Sequence, residues 1–470
     1  MSTYTDASLI VTPNAYKESK LYSLKPTDGS GDLGIVRATT ATRVNSDGLI
    51  EQVPYNLLTY SEQFNNATWN KINSTVVSNT TTAPNGTLTA DSLTDNSTNG
   101  IHVISNSGGG TGVFTFSFYA KANTLNRIGL LTAASVNTTL SSTAQVFDLL
   151  NGTVVNTISG VNASIETLAN SWFRCSVTLN ALASGLYFIT CIKTGTNIGY
   201  IGSGESVFIW GAQLVTDTSA KEYFPTTDRL NIPRIDYTNG SCPSILVEPQ
   251  RTNLLLRSEE FDNASWLKNG VSVTANNTVS PNNTLTADRI NNATNSDFIS
   301  QIVTGTAGIT YTFTIYIKND NSTQTRVFVR NTIDSLSGLI NWSGSILTSI
   351  SSVTGGTLNF MELSNGWYRL NGVFTSVESS IRPRILPDTT AGSRSVFLWG
   401  AQLEVGSNAT SYIPTVASAV TRNADVISKT GLTGITTITE TFEDDTTNVI
   451  SGSPTSYTMS QGRIKHVIGI

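Results

Sequence analysis

Asn56-Leu57-Leu58-Thr59-Tyr60-Ser61-Glu62-Gln63-Phe64 returns as Asn253-Leu254-Leu255-Leu256-Arg257-Ser258-Glu259-Glu260-Phe261, an offset of 197 residues. Trp69 and Trp266 follow at the same offset, and Pro84–Asp91 returns as Pro281–Asp288. Phe114-Thr115-Phe116-Ser117-Phe118-Tyr119-Ala120-Lys121 is answered by Tyr311-Thr312-Phe313-Thr314-Ile315-Tyr316-Ile317-Lys318. Both alternate bulky apolar and small polar residues, the period-two mark of a half-buried strand. Asn170-Ser171-Trp172-Phe173-Arg174 pairs with Asn365-Gly366-Trp367-Tyr368-Arg369. Ser206-Val207-Phe208-Ile209-Trp210-Gly211-Ala212-Gln213-Leu214 pairs with Ser395-Val396-Phe397-Leu398-Trp399-Gly400-Ala401-Gln402-Leu403, where the offset has fallen to 189. Loops absorb such trimming and buried strands do not, so the chain carries a duplicated domain.

The rest of the composition agrees with strands and tight turns. Only 13% of the 470 residues are charged, against about 25% in average soluble proteins. The polar load falls on Asn, Thr, Ser and 37 Gly, which suit extended backbone and positive-φ turns. Each copy offers roughly eight to ten short strands and no convincing amphipathic helix, so two sheets must pair to bury one face of each. The expected fold is all-β: two tandem jelly-roll-like β-sandwich domains with an extended N-terminal arm and a small C-terminal β segment.

The corresponding division is an irregular, polar arm over 1–53, a first module over 54–228, a connector over 229–252, a second module over 253–418 and a C-terminal β segment over 419–470. The connector is stiffened by Pro233, Pro243 and Pro249. The chain ends on Val467-Ile468-Gly469-Ile470, an apolar stretch expected to pair with another strand or another chain.

Several function classes are disfavoured. The net charge is −5, from 28 basic and 33 acidic residues without blocks, so no basic face for nucleic acid is expected. No run approaches the ~18 apolar residues of a membrane span. Met1–Lys20 lacks the charged and apolar regions of a secretion signal. Cys175, Cys191 and Cys242 match no zinc spacing. Cys175 and Cys191 lie in neighbouring expected strands and could face each other across a hairpin, but read as two buried, reduced thiols. No metal or other cofactor is expected.

His102 and His466 belong to no nucleophile–base constellation. Glu62 and Glu259, like Asp91 and Asp288, recur in both copies, as shared turn chemistry would make them do. A glycoside-cleaving carboxylate pair is therefore a weak reading, and no catalysis is expected.

Trp172, Trp210, Trp367 and Trp399 sit within apolar strand patterns and are expected to fill cores. Trp69 and Trp266 follow the polar segments Asn66-Ala67-Thr68 and Asn263-Ala264-Ser265 and precede Lys71 and Lys268 by two residues. These two rings are the candidates for stacking on a sugar face; the alternative is packing against the module's own edge.

The segment from Asn253-Leu254-Leu255 to Trp266 resembles the opening of carbohydrate-binding-module-like jelly rolls. Val396–Glu404, Ser411-Tyr412-Ile413-Pro414-Thr415 and Val420-Thr421-Arg422-Asn423-Ala424-Asp425 are similar to the close of modules common in bacteriophage virion proteins. Val36–Glu51, Pro233-Arg234-Ile235-Asp236-Tyr237 and Leu246-Val247-Glu248-Pro249-Gln250-Arg251 also look phage-like. The resemblance implies a head or tail fibre or decoration protein located on the virion surface, of a phage such as those infecting Bacteroidetes. It would be anchored to other virion proteins by the N-terminal arm, be homo-oligomeric with a trimer favoured, and adhere weakly to cell-surface or mucosal glycans. A bacterial extracellular carbohydrate-binding protein is the second reading, and a tail-spike depolymerase the third.

Overall fold

The computed structural model describes all residues except 1–2, 18–19, 38, 54–55, 109–111, 134–143, 182–184, 216–217, 222, 228–231 and 331. The expected boundary at 228/229 lies outside the described residues. The chain divides into two compact units, residues 54–230 and residues 1–53 with 231–470. Its regular structure among the described residues is almost entirely β-strand, and no helix among them is long and apolar enough to cross a membrane.

The unit of residues 54–230 is a sandwich of two six-stranded antiparallel sheets. One runs Thr153–Val154, Gln145–Asp148, Arg127–Ala133, Gly185–Ile192, Val103–Gly108, Asn70–Ile72. The other runs Val161–Thr167, Phe173–Ala181, Gly112–Ala122, Ser206–Val215, Ala90–Asp95, Ser74–Thr81. Period-two alternation sends Phe114, Phe116 and Phe118 to the buried seam with Ile128, Leu130, Tyr187 and Ile189 of the facing sheet. Cys175 and Cys191 are both buried and unbridged. They lie on opposite sheets and not across a hairpin, because the chain crosses the sandwich between them.

The second module repeats this plan within the other unit. Its sheets run Leu267–Asn269, Phe298–Ser300, Pro383–Leu386, Gln324–Arg330, Asp334–Ser343, Ile346–Thr354, and Ser272–Thr278, Ala287–Asn292, Arg394–Val405, Thr310–Asn319, Tyr368–Thr375, Gly356–Glu362.

The repeated phrases serve one shared joint. Asn56 Nδ2 donates to Ala212 O at 2.7 Å while its Oδ1 accepts from Leu58 N and Leu214 N, both at 3.0 Å. Asn253 does the same with Ala401, Leu255 and Leu403. Beside each joint the ladder skips a residue, at Ser117/Tyr119 and Thr314/Tyr316. Gly211 and Gly400 lie in these bulges at φ 59° and 61°. A Cβ on either would fall 2.9 or 2.8 Å from the tyrosine ring opposite, so only glycine fits.

The C-terminal β segment forms strands as expected, whereas the arm and the connector depart from expectation. Leu9–Lys17, Lys20–Lys25 and Leu33–Val36 join Arg234–Asp236, Ser244–Val247 and the strands of Val426–Gly469 in one ten-stranded sheet. It has its own core, including Val11, Leu33, Ile245, Ile427, Ile438 and Val467. Residues 1–53 thus form paired strands and not an irregular arm, because Leu9–Lys17 and Leu33–Val36 find further partners near the far end of the chain. The terminal strand Gly462–Gly469 lies between Leu9–Val11 and Ile438–Phe442. Thr42–Val44 and Ile50–Gln52 form a separate hairpin. Its Ile50 packs against Trp367, Trp399 and Tyr412 on the outer side of the second module.

Candidate functional site

The tryptophans put forward as sugar platforms cannot serve as such. Trp69 and Trp266 are 0% and 1% exposed. Each indole packs on the phenylalanine five residues before it, Phe64 at 4.8 Å and Phe261 at 4.7 Å between ring centres. Their Nε1 groups donate to Tyr60 O (3.0 Å) and Arg257 O (2.9 Å). The polar residues before each ring form a turn that caps the core, with Asn66 Oδ1 and Asn263 Oδ1 accepting from the amides of Thr68 and Ser265. Trp172, Trp210, Trp367 and Trp399 are also buried, but in satellite clusters apart from the main seams.

The recurring carboxylates hold the modules closed. Asp91 accepts from Phe64 N (3.1 Å) and Asn79 N (2.9 Å), and Asp288 from Phe261 N (2.7 Å) and Asn276 N (2.8 Å). Burial raises both carboxyls, Asp91 to about 6. Glu62 and Glu259 accept from Tyr223 and Tyr412, whose hydroxyls also meet Ser61 and Ser258. His102 is fully buried, its ring nitrogens 2.7 and 3.1 Å from Asn73 O and Tyr200 O. Among the described residues no group of three or more His, Cys, Asp or Glu could hold a metal ion.

A different surface gathers aromatic rings and arginines. In the second module's sheet that begins with Leu267–Asn269, Ile299, Ile385, Val327 and Val329 point into the core. Alternation therefore turns Phe298, Arg384, Arg326 and Phe328 to the opposite face. Register brings them together: Ser300 pairs with Arg384, Arg384 with Phe328, and Leu386 with Arg326. The rings of Phe298 and Phe328 lie 6.2 Å apart, edge to face. Arg384 sits over both, 4.8 Å from Phe298 and 5.6 Å from Phe328. Arg326 covers Phe328 at 4.5 Å, and Arg382 covers Phe298 at 5.4 Å.

Hydrogen bonds fix this ladder of alternating rings and guanidinium groups. Arg382 Nε donates to Ser300 Oγ (3.0 Å) and Arg326 Nε to Ser337 Oγ (3.1 Å). Phe328 is buried beneath the arginines, whereas Phe298, Arg382 and Arg384 are half-buried. Arg326 and Arg330 keep 32% and 46% of their side-chain surface. Asp334 lies 3.4 Å from Arg326 and 3.6 Å from Arg330. Burial and the neighbouring Arg382 and Arg330 charges lower the Arg384 pKa. Cation–π contact offsets part of that crowding.

Among its described residues the first module lacks the ladder. At matching register Ser105 pairs with Phe188, and Val103 takes the place of Phe298. Val103, Val146, Ile192 and Phe188 make this an apolar cluster. The first module instead has a polar groove of ≈ 240 Å³ on its other sheet, lined by Ser164, Glu166, Arg174, Ser176 and Thr178 among others. Arg174 is spent there on Ser117, Gln213 and Lys221 O. Its counterpart Arg369 reaches Thr314 and Thr410 O in the same manner, so this arginine is part of the common scaffold.

No family model and no curated protein matches the chain. Among solved structures it is similar to the N-terminal CBM22-1–CBM22-2 tandem domain of Paenibacillus barcinonensis Xyn10C. That match has 10% identity and a TM-score of 0.25, covering 75% of this chain and 98% of that one. Paenibacillus xanthan lyase matches at 12% identity and TM-score 0.24, over 77% of this chain and 27% of that one. The tandem CBM51 modules of Sp3GH98, the family 98 glycoside hydrolase from Streptococcus pneumoniae SP3-BS71, match at 13% and 0.19, over 84% and 99%. The fold described above rests on strand pairing and not on these matches.

Proposed function

We propose that this chain is a non-catalytic glycan-binding protein and that the second module presents its binding face. The observation that carries the reading is the Phe298–Arg384–Phe328–Arg326 ladder. A row of planar groups on a half-exposed sheet face offers an extended ligand flat contacts and hydrogen-bond donors at once. The repeated carboxylates and His102, by contrast, are engaged within the fold. Each contact with one glycan is weak, and adhesion comes from repetition of the protein on a larger body.

Sequence resemblance alone supports placing that body on a phage particle, as a fibre or decoration protein among other virion proteins, in a homo-oligomer such as a trimer. The test of the binding function is affinity electrophoresis of the full chain through gels containing neutral and acidic polysaccharides. Retardation by at least one, weakened in Arg384→Ala with the fold intact by circular dichroism, supports the reading. Free migration of the wild type in every gel contradicts it. The particle assignment is tested separately, by looking for the chain in mass spectra of purified virions.

A further inference from the structure

The face just described has an unusual charge balance. Arg326, Arg330, Arg382 and Arg384 crowd it around the carboxylate Asp334, in a chain whose net charge is −5. Asp334 is already shared between Arg326 and Arg330. Of the nearby acids, Glu378 accepts from Thr332 N and Oγ1 and from Ile333 N. Asp297 accepts from Ala293 N and Thr294 N. Backbone amides thus engage both carboxylates. The ring faces an uncharged sugar would stack on are covered by guanidinium groups, so a ligand meets cations first.

We infer that the ladder on the second module is specific for an acidic polysaccharide, whose carboxylate or sulfate groups are received by Arg382 and Arg384. This rests on the glycan-binding reading above and adds the ligand class. Guanidinium groups pair with carboxylate and sulfate through two parallel hydrogen bonds, which a hydroxyl cannot match. Arg382 and Arg384 flank Pro383 at a spacing of two, so both project from the same face, a strand repeat of about 6.6 Å apart. That spacing places them to meet charges along one chain. Pro383 also fixes the backbone between them. A bound anion relieves the mutual repulsion of the cluster, so occupation is favoured beyond the contacts themselves. The first module has Leu186 and Phe188 in the strand equivalent to this one, so the specificity belongs to one copy.

Nucleic acid would satisfy the charge but needs free ring faces for its bases, and Phe328 is 4% exposed. The experiment titrates the full chain by calorimetry with hyaluronan (carboxylate only), dextran sulfate (sulfate only), neutral dextran and single-stranded DNA. Expected is binding to one or both acidic polysaccharides and none to dextran. Raising salt from ~50 to ~300 mM should weaken it, and Arg382→Gln with Arg384→Gln should lose about tenfold or more. The double Lys variant keeps the charge without the fork and should fall between, which separates lost recognition from lost fold. Dextran bound as well as its sulfate overturns the ligand class while leaving glycan binding standing, as does acidic binding unchanged in the Gln variant. DNA bound as tightly as either polysaccharide overturns it too. No binding to any carbohydrate here or in the wider gel panel overturns both readings.

Discussion

Arg37 and Asp425, 388 positions apart, meet in a 2.7 Å ion pair with both side chains almost wholly buried. Arg234 bridges this pair to Glu248, contacting Asp425 through Nη2 and Glu248 through Nη1 at 2.7 Å. Arg422 closes the group at 2.8 Å from Glu248. Ser411 N donates to Glu248 Oε1, and Glu248 N to Asp425 Oδ2. The group thus ties the ten-stranded sheet to the closing loop of the second module. The sequence phrases that look phage-like supply these five charges, so that pattern encodes a structural knot. Removing one partner strands the others in a dry site. Arg37→Ala or Asp425→Ala should cost about 3–5 kcal/mol, read as a lowered urea midpoint for the unit of residues 1–53 and 231–470.

The same knot sets a pH dependence. The guanidinium groups of Arg234 and Arg422 overcome the burial penalty and hold the Glu248 carboxyl at about 2, below its ordinary 4.5. A depressed folded value gives stability that is full above about 4.5 and lost as pH falls toward 2. Wild type should exceed Glu248→Gln in stability at neutral pH, with the gap closing below pH ~4.5. Asp91 has the opposite sign. Burial lifts it to about 6 from 3.8, so its contribution is present below 3.8 and lost as pH rises through 6. Wild type should therefore gain on Asp91→Asn as pH falls from about 7 to about 4, measured by urea denaturation of the first module.

Trp69→Ala and Trp266→Ala should each cost about 3–5 kcal/mol by emptying core volume. Thermal unfolding monitored by circular dichroism checks this. Loss of glycan binding at a temperature where the variant remains folded would contradict the core assignment.

Thiol chemistry should separate the cysteines. Cys175 and Cys191 are buried and their thiols pushed up by burial, whereas Cys242 is exposed. The native protein should react at one thiol with Ellman's reagent and at all three in denaturant. Prompt reaction at two or more native thiols would contradict the packing.

The sandwiches were legible because duplication shows the same alternation twice, as in Phe114–Lys121 and Tyr311–Lys318. The third sheet was not. Leu9–Lys17 carries a proline and an asparagine mid-strand, and its partners are Lys20–Lys25 and the far terminus. Local periodicity cannot reveal pairing across 450 residues. The polar flanks of Trp69 and Trp266 look like loop in the sequence, whereas those residues form the turn that folds each indole inward. The arginine ladder is assembled from three separate strands, so no single stretch announces it. The one available signal was Arg382-Pro383-Arg384, a period-two pair of cations absent from the first copy.

Hydrogen–deuterium exchange of the full chain, with and without a saturating polysaccharide that it retains, locates the glycan-binding face. Binding at the arginine ladder slows exchange in Gln324–Arg330 and Pro383–Leu386 and leaves Arg127–Ala133 and Gly185–Ile192 of the first module unchanged. Protection confined to the first module, or to the ten-stranded sheet, would contradict it.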